Sequence, residues 1–233
     1  MATEIPPAGL EPGTSAKLQI LATEHWSLLA TRSLTYTESL GRVQMFLAIL
    51  SGSVIALALV AQADRFGPTF IAVAIFMLAV VFFVGVATMA RLMSLNRDDF
   101  RWVLGMNRLR NAYFAIYPEL APHFMTSPYD DLPGALQTLG IDMTGGSRLG
   151  SFVHGTQTLP GMLSVIVAAV AGAIGALAAV AIGAPLLAVL LAGVAAFVVA
   201  LLWLGNWGRR SVRRLDPSLA ARFPSPKGPT ASN

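Results

Sequence analysis

Two long uncharged runs, separated by a short connection, constrain this chain more than any other feature. Between Arg42 and Asp64 lie 21 residues without a charge, VQMFLAILSGSVIALALVAQA, and between Arg65 and Arg91 lie 25 more, FGPTFIAVAIFMLAVVFFVGVATMA. At about 1.5 Å per helical residue, each run is long enough to cross a hydrocarbon core of about 30 Å. A second such region follows, because residues 155–208 contain no Lys, Arg, Asp, Glu or His. It holds two more spans, at about 162–182 and 186–205, turning at Gly183, Ala184 and Pro185. With 55% apolar and only 12% charged residues, the 233-residue chain does not have a soluble protein's composition. The expected fold is an all-α integral membrane protein: four transmembrane helices in two hairpins, with a cytoplasmic helical stalk extending the first hairpin.

Charge placement gives the expected topology. Of the 16 Lys and Arg residues, only Arg65 falls on the side of the connection between spans one and two. Lys17, Arg32 and Arg42 precede span one. Arg91, Arg97, Arg101, Arg108, Arg110 and Arg148 separate spans two and three, and Arg209, Arg210, Arg213, Arg214, Arg222 and Lys227 follow span four. The positive-inside rule then puts both termini and the central segment in the cytoplasm, as expected for a multi-pass membrane protein. The first residues show no basic stretch followed by an apolar run, so no cleavable signal is expected and span one should insert as a permanent anchor.

Residues 1–14, rich in Pro, Gly and Ala, read as a flexible lead-in. From 15 to 117 the pattern predicts a cytoplasmic helix, span one at about 43–63, span two at about 67–90 and a second cytoplasmic helix. On the second helix Trp102, Met106, Leu109, Tyr113, Ile116 and Tyr117 share a face, while Arg97, Arg101 and Arg108 share the opposite one. The two helices are of similar length and are expected to pack as an antiparallel stalk. A break at Asn96 to Asp99 would instead lay the second one along the membrane surface. Residues 118–161 read as short helices and a glycine-rich linker, with a helix running to Leu139 that starts from Ser127, Pro128 and Asp130. In the second hairpin (162–208), Ser164, Ala168, Gly172 and Ala176 form one small-residue row and Ala171, Gly175 and Ala179 another, which allows close helix approach in lipid. Trp203 and Trp207 mark an interface, followed by a basic juxtamembrane segment and a disordered tail over 209–233.

Few constellations carry chemistry. The chain has no cysteine, which removes thiolate ligands, disulfides and cysteine nucleophiles. His25, His123 and His154 lack a second ligand at metal spacing, and Gly145–Gly146 is not followed by the Lys and Ser/Thr of a phosphate loop. Asp130 and Asp131 read as helix N-terminal acids. No enzyme, cofactor, metal or nucleic-acid partner is expected. The spans hold no ionisable group, which argues against an ion-coupled transporter acting as a monomer. Ser51, Ser53 and Ser164 are candidate pore-lining or helix-packing groups. Arg97, Arg101 and Arg108 are a candidate face for a partner or anionic ligand, and Arg209, Arg210, Arg213 and Arg214 are candidate contacts to the anionic inner leaflet.

The runs LATEHWSLLATRSLTYTESLGRVQMFLAIL (21–50) and MNRLRNAYFAIYPELAPHF (106–124) resemble a family of bacterial, actinobacterial-type membrane proteins with four spans. More loosely, the order helix, two spans, helix is similar to SLATT-type effectors. That likeness implies an oligomeric pore and transfers no catalytic residue. The functional expectation is a noncatalytic homo-oligomer embedded in the lipid bilayer that forms a pore or channel. The alternative is a membrane scaffold that recruits a cytoplasmic protein partner through its stalk, and a small transporter comes third.

Overall fold

The computed structural model describes residues 12–140, 158–213 and 220–226. Among these residues every regular element is helical: α1 (Pro12–Asp64), α2 (Pro68–Ile116), a 3-10 turn (Pro118–His123), α3 (Leu132–Thr138), α4 (Leu159–Ala181) and α5 (Leu186–Arg213). Four of them, α1, α2, α4 and α5, are long and apolar enough to cross a membrane. Residues 1–11 of the expected lead-in, residues 141–157 with most of the glycine-rich linker, and residues 214–219 and 227–233 lie outside the described residues, while residues 12–14, expected as lead-in, already belong to α1.

α1 is a single helix of 53 residues, about 80 Å long at 1.5 Å per residue. Its many hydroxyl residues do not break it, because the side chains bond back to carbonyls one turn earlier: Thr23 to Gln19, Thr31 to Ser27, Thr35 to Thr31 and Ser53 to Ile49, at 2.8–3.0 Å. α1 ends in a tight turn where Arg65 and Phe66 take left-handed φ values of 47° and 62°. Asp64 holds this turn. Its carbonyl accepts from the Gly67 N–H (2.9 Å), and its carboxylate accepts from the Phe70 N–H (2.6 Å) in the first turn of α2.

The chain divides into two compact units. The larger comprises 36–97 and 158–213, that is, parts of α1 and α2 together with α4 and α5. Its core is Phe46 from α1, Val81, Met89 and Leu92 from α2, Leu163 and Val167 from α4, and Leu204 from α5. Gly85 is the point of closest approach: a Cβ there would lie 2.6 Å from Val167 Cγ2 and 3.0 Å from the Phe46 ring. α4 and α5 pack antiparallel through the small-residue rows. Gly172 faces Gly193 and Phe197, and Gly175 faces Ala192 and Ala196. Their connection closes with the N–H of Gly183 (φ 72°) on Val180 O and that of Ala184 on Ala179 O, an αL helix end that favours glycine. At the polar end of this unit, Arg91 makes two 2.9 Å hydrogen bonds to the Glu38 carboxylate, which Arg42 also contacts at 3.1 Å. These bonds, from Arg91 first and Arg42 second, hold the Glu38 carboxyl down to about 2.

The smaller unit comprises 12–35, 98–140 and 220–226. Here α1 and α2 pair antiparallel: Arg32 bonds Asp99 at 2.7 Å, Leu28 covers Gly105, and His25 lies against the Tyr113 ring. α2 runs unbroken through Asn96–Asp99, because Asp99 is taken by Arg32 and caps no new helix. The face buried on α2 is Val103, Leu104, Met106, Asn107 and Arg110, turned from the one that apolar periodicity picks out. α3 packs on Val103 and Leu104 through Ala135, a long-range contact that periodicity cannot register.

Candidate functional site

The polar residues of the smaller unit converge on the loop between the 3-10 turn and α3. Asn107, fully buried on α2, donates from Nδ2 to the Tyr129 carbonyl (2.7 Å). Its Oδ1 accepts from Arg110 Nη1 (2.6 Å) and from the Thr138 hydroxyl (2.9 Å). Thr138 Oγ1 in turn accepts from the Ser127 N–H at 3.3 Å. Arg110 is itself buried, and its pKa is lowered first by burial and then by the charge of Arg32. One amide thus fixes both the loop and the guanidinium beneath it. Gly134 admits the loop: the carbonyl of Tyr129 occupies the space a side chain would need.

This support presents Asp130 and Asp131 side by side. Asp131 is the N-cap of α3, its Oδ1 accepting from the Gly134 N–H at 2.9 Å. The helix therefore begins at Leu132, later than the Ser127–Pro128 start expected from sequence. Ser127 Oγ accepts from the Tyr129 N–H two residues on, forming a local turn in place of a helix cap. Asp130 has no helix role; its side chain is fully buried. Oδ2 accepts from Arg108 Nε (2.6 Å) and the Arg222 N–H (3.0 Å), and Oδ1 accepts from the Phe223 N–H (2.7 Å). The Asp130 N–H returns a bond to the Phe223 carbonyl at 3.1 Å. Asp131 accepts from the Ser225 N–H (Oδ2, 2.6 Å) and from the Ser225 hydroxyl (Oδ1, 2.8 Å). Arg108 Nη2 reaches the Ala220 carbonyl at 3.4 Å.

Burial pushes both carboxyls up. For Asp130 the Arg222 N–H, Arg108 and the Phe223 N–H outweigh it, and for Asp131 the N–H groups of Ser225 and Gly134 and the Ser225 hydroxyl do. Both acids are held below their ordinary range and stay ionised at neutral pH. The segment bends at Arg222 and Phe223, and the two carboxylates accept its N–H groups while Arg108 and the Asp130 N–H donate to its carbonyls. Residues 220–226, expected as part of a disordered tail, are therefore docked.

The residues singled out from the sequence are distributed differently. Arg108 is committed to Asp130 and the Ala220 carbonyl, and Arg101 is paired with Asp98 at 3.5 Å, so these two do not form a free basic face. Arg97 belongs to the larger unit and is half-buried. Ser164 is buried, donating to the Pro160 carbonyl at 2.7 Å beside Met89, which makes it a helix-packing group. Ser53 is half-buried and bonds Ile49 O, while Ser51 is exposed. Arg209 and Arg210 are exposed near the end of α5, after the paired rings of Trp203 and Trp207. Arg213 closes that helix, and Arg214 lies outside the described residues. His25 is half-buried with its pKa lowered, first by burial and then by Arg110. Among the described residues no His, Asp and Glu cluster could hold a metal.

Sequence reasoning missed the roles of Asn107 and Glu38 and the hydrogen bonds of residues 220–225 to Arg108, Asp130 and Asp131. The available signal for Asn107 was its helical spacing from Val103 and Arg110. For the tail it was the neighbouring prolines, Pro224 and Pro226, in a short polar stretch. Comparisons with family models, with curated proteins and with solved structures find no match.

Proposed function

We propose that this chain is a noncatalytic, multi-pass scaffold of a bacterial inner membrane. The larger unit anchors it in the bilayer, both termini are cytoplasmic, and the smaller unit engages a cytoplasmic protein partner. The observation that carries this reading is the filled core of the larger unit. Phe46, Val81, Leu163, Val167 and Leu204 meet at its centre, and the hydroxyl of Ser164 is turned to a backbone carbonyl. An apolar, close-packed centre offers one protomer no hydrated path. Asp130, Asp131 and Arg108, which together bind the backbone of residues 220–225, belong to the smaller unit.

A pore formed between subunits is the second reading. It is favoured by Ser51 and Gly52, which lie next to each other on the exposed surface of α1. It also agrees with the SLATT-like order of helices. The test is the mass of the purified protein in nanodiscs, combined with dye influx into cells that overexpress it. The scaffold reading expects a monomer or dimer, intact membranes and a copurifying soluble protein. A ring of several subunits with dye entry would overturn it in favour of the pore.

A further inference from the structure

Docking of residues 220–226 is carried by main-chain polarity more than by apolar burial. Phe223 remains 40% exposed, and Ala220, Ala221, Arg222, Pro224 and Pro226 are also exposed. The segment reads AARFPSP, and its two prolines have no N–H. Between Arg222 and Pro226 that leaves three N–H groups, on Arg222, Phe223 and Ser225, and each is bonded to Asp130 or Asp131. The backbone bends at Arg222 and Phe223, which brings these N–H groups onto the two adjacent carboxylates. The fit is that of a ligand shaped for its seat.

We propose that Asp130, Asp131 and Arg108 form a recognition seat for a bent, proline-interrupted peptide. This chain's own segment 220–226 is its occupant in cis, a releasable latch that keeps other peptides of the same chemistry out. The inference names the surface of the scaffold reading by which the smaller unit would take a partner, and rests on that reading only for the partner's role. Release is set by charge at Ser225. Its hydroxyl and N–H are 2.8 and 2.6 Å from the two oxygens of Asp131. Negative charge on that side chain would face a carboxylate at contact distance, where like charges repel. Acid has little part in release at neutral pH, since both carboxyls are already ionised there.

The test is hydrogen–deuterium exchange of the Arg222, Phe223 and Ser225 amides in the full-length protein in nanodiscs, read by fragmentation mass spectrometry. In the wild type these amides should exchange about 10- to 100-fold more slowly than an unstructured peptide. Ser225→Asp should bring them close to the unstructured rate and Ser225→Ala should speed them about tenfold or less, with α3 amides unchanged in both. Asp131→Asn keeps a helix cap and should also release the segment. Excess synthetic AARFPSP peptide should accelerate exchange of the chain's own segment by displacing it. Unprotected amides in the wild type, or equal protection in Ser225→Asp and Ser225→Ala, would overturn the latch. Release by the variants without displacement by the peptide would overturn the seat as a surface for other chains. Neither readout depends on copurification of a partner, so failure of the scaffold reading remains distinguishable.

Discussion

Replacing Asn107 by leucine tests how the seat is built. The amide is completely buried and makes three side-chain hydrogen bonds, to Tyr129 O, Thr138 Oγ1 and Arg110 Nη1. The two neutral bonds contribute on the order of 0.5–1.5 kcal/mol each, and the one from the guanidinium about 1.5–3 kcal/mol. Leucine removes all three and leaves a buried guanidinium facing a methyl group, so the local loss should reach about 3–6 kcal/mol. The assay is native-state hydrogen exchange of the 127–131 loop and α3, together with the thermal midpoint in detergent. Protection of that loop should fall to near zero, while amides of α4 and α5 keep theirs. Adding Arg110→Met to Asn107→Leu should recover part of the loss, because the uncompensated charge goes with it. A loss below about 1 kcal/mol for the single variant, or a double variant worse than the sum of the singles, would refute this account.

Two other perturbations address the larger unit. Gly85→Val introduces a side chain whose Cβ would meet Val167 at 2.6 Å and Phe46 at 3.0 Å, and should destabilise by about 1–3 kcal/mol. A lowered thermal midpoint in nanodiscs, partly restored by Val167→Ala, checks it. Glu38 has a carboxyl held at about 2 against an ordinary 4.5, so its contribution is present above about pH 4.5 and is lost as pH falls toward 2. The thermal midpoint of the wild type should therefore drop through that window, and the drop should be smaller in Glu38→Gln. Parallel curves would remove Glu38 as the cause.

The four apolar helices were legible because membrane spans are written in consecutive residues. A run such as 66–90 without a charge needs no partner to be recognised, and the connection at Asp64–Phe66 or Gly183 shows in residue type. The small-residue rows of α4 were legible for the same reason: their spacing is a property of one helix. Only the tertiary structure decided which groups meet across long separations. Asp130 and Phe223 are 93 positions apart, and Glu38 and Arg91 are 53 apart. In the sequence, Asp130 beside Asp131 looks like a helix start, and Arg108, two turns on from Arg101, looks like part of a basic face for a partner or anionic ligand. Their roles follow from burial and from the partner each finds. A hydrogen bond depends on the position of both ends, and periodicity along one segment fixes only one of them. The sequence by itself determined four helices able to cross a membrane; the packing of α3 on α2 determined that two aspartates hold the chain's own C-terminal segment.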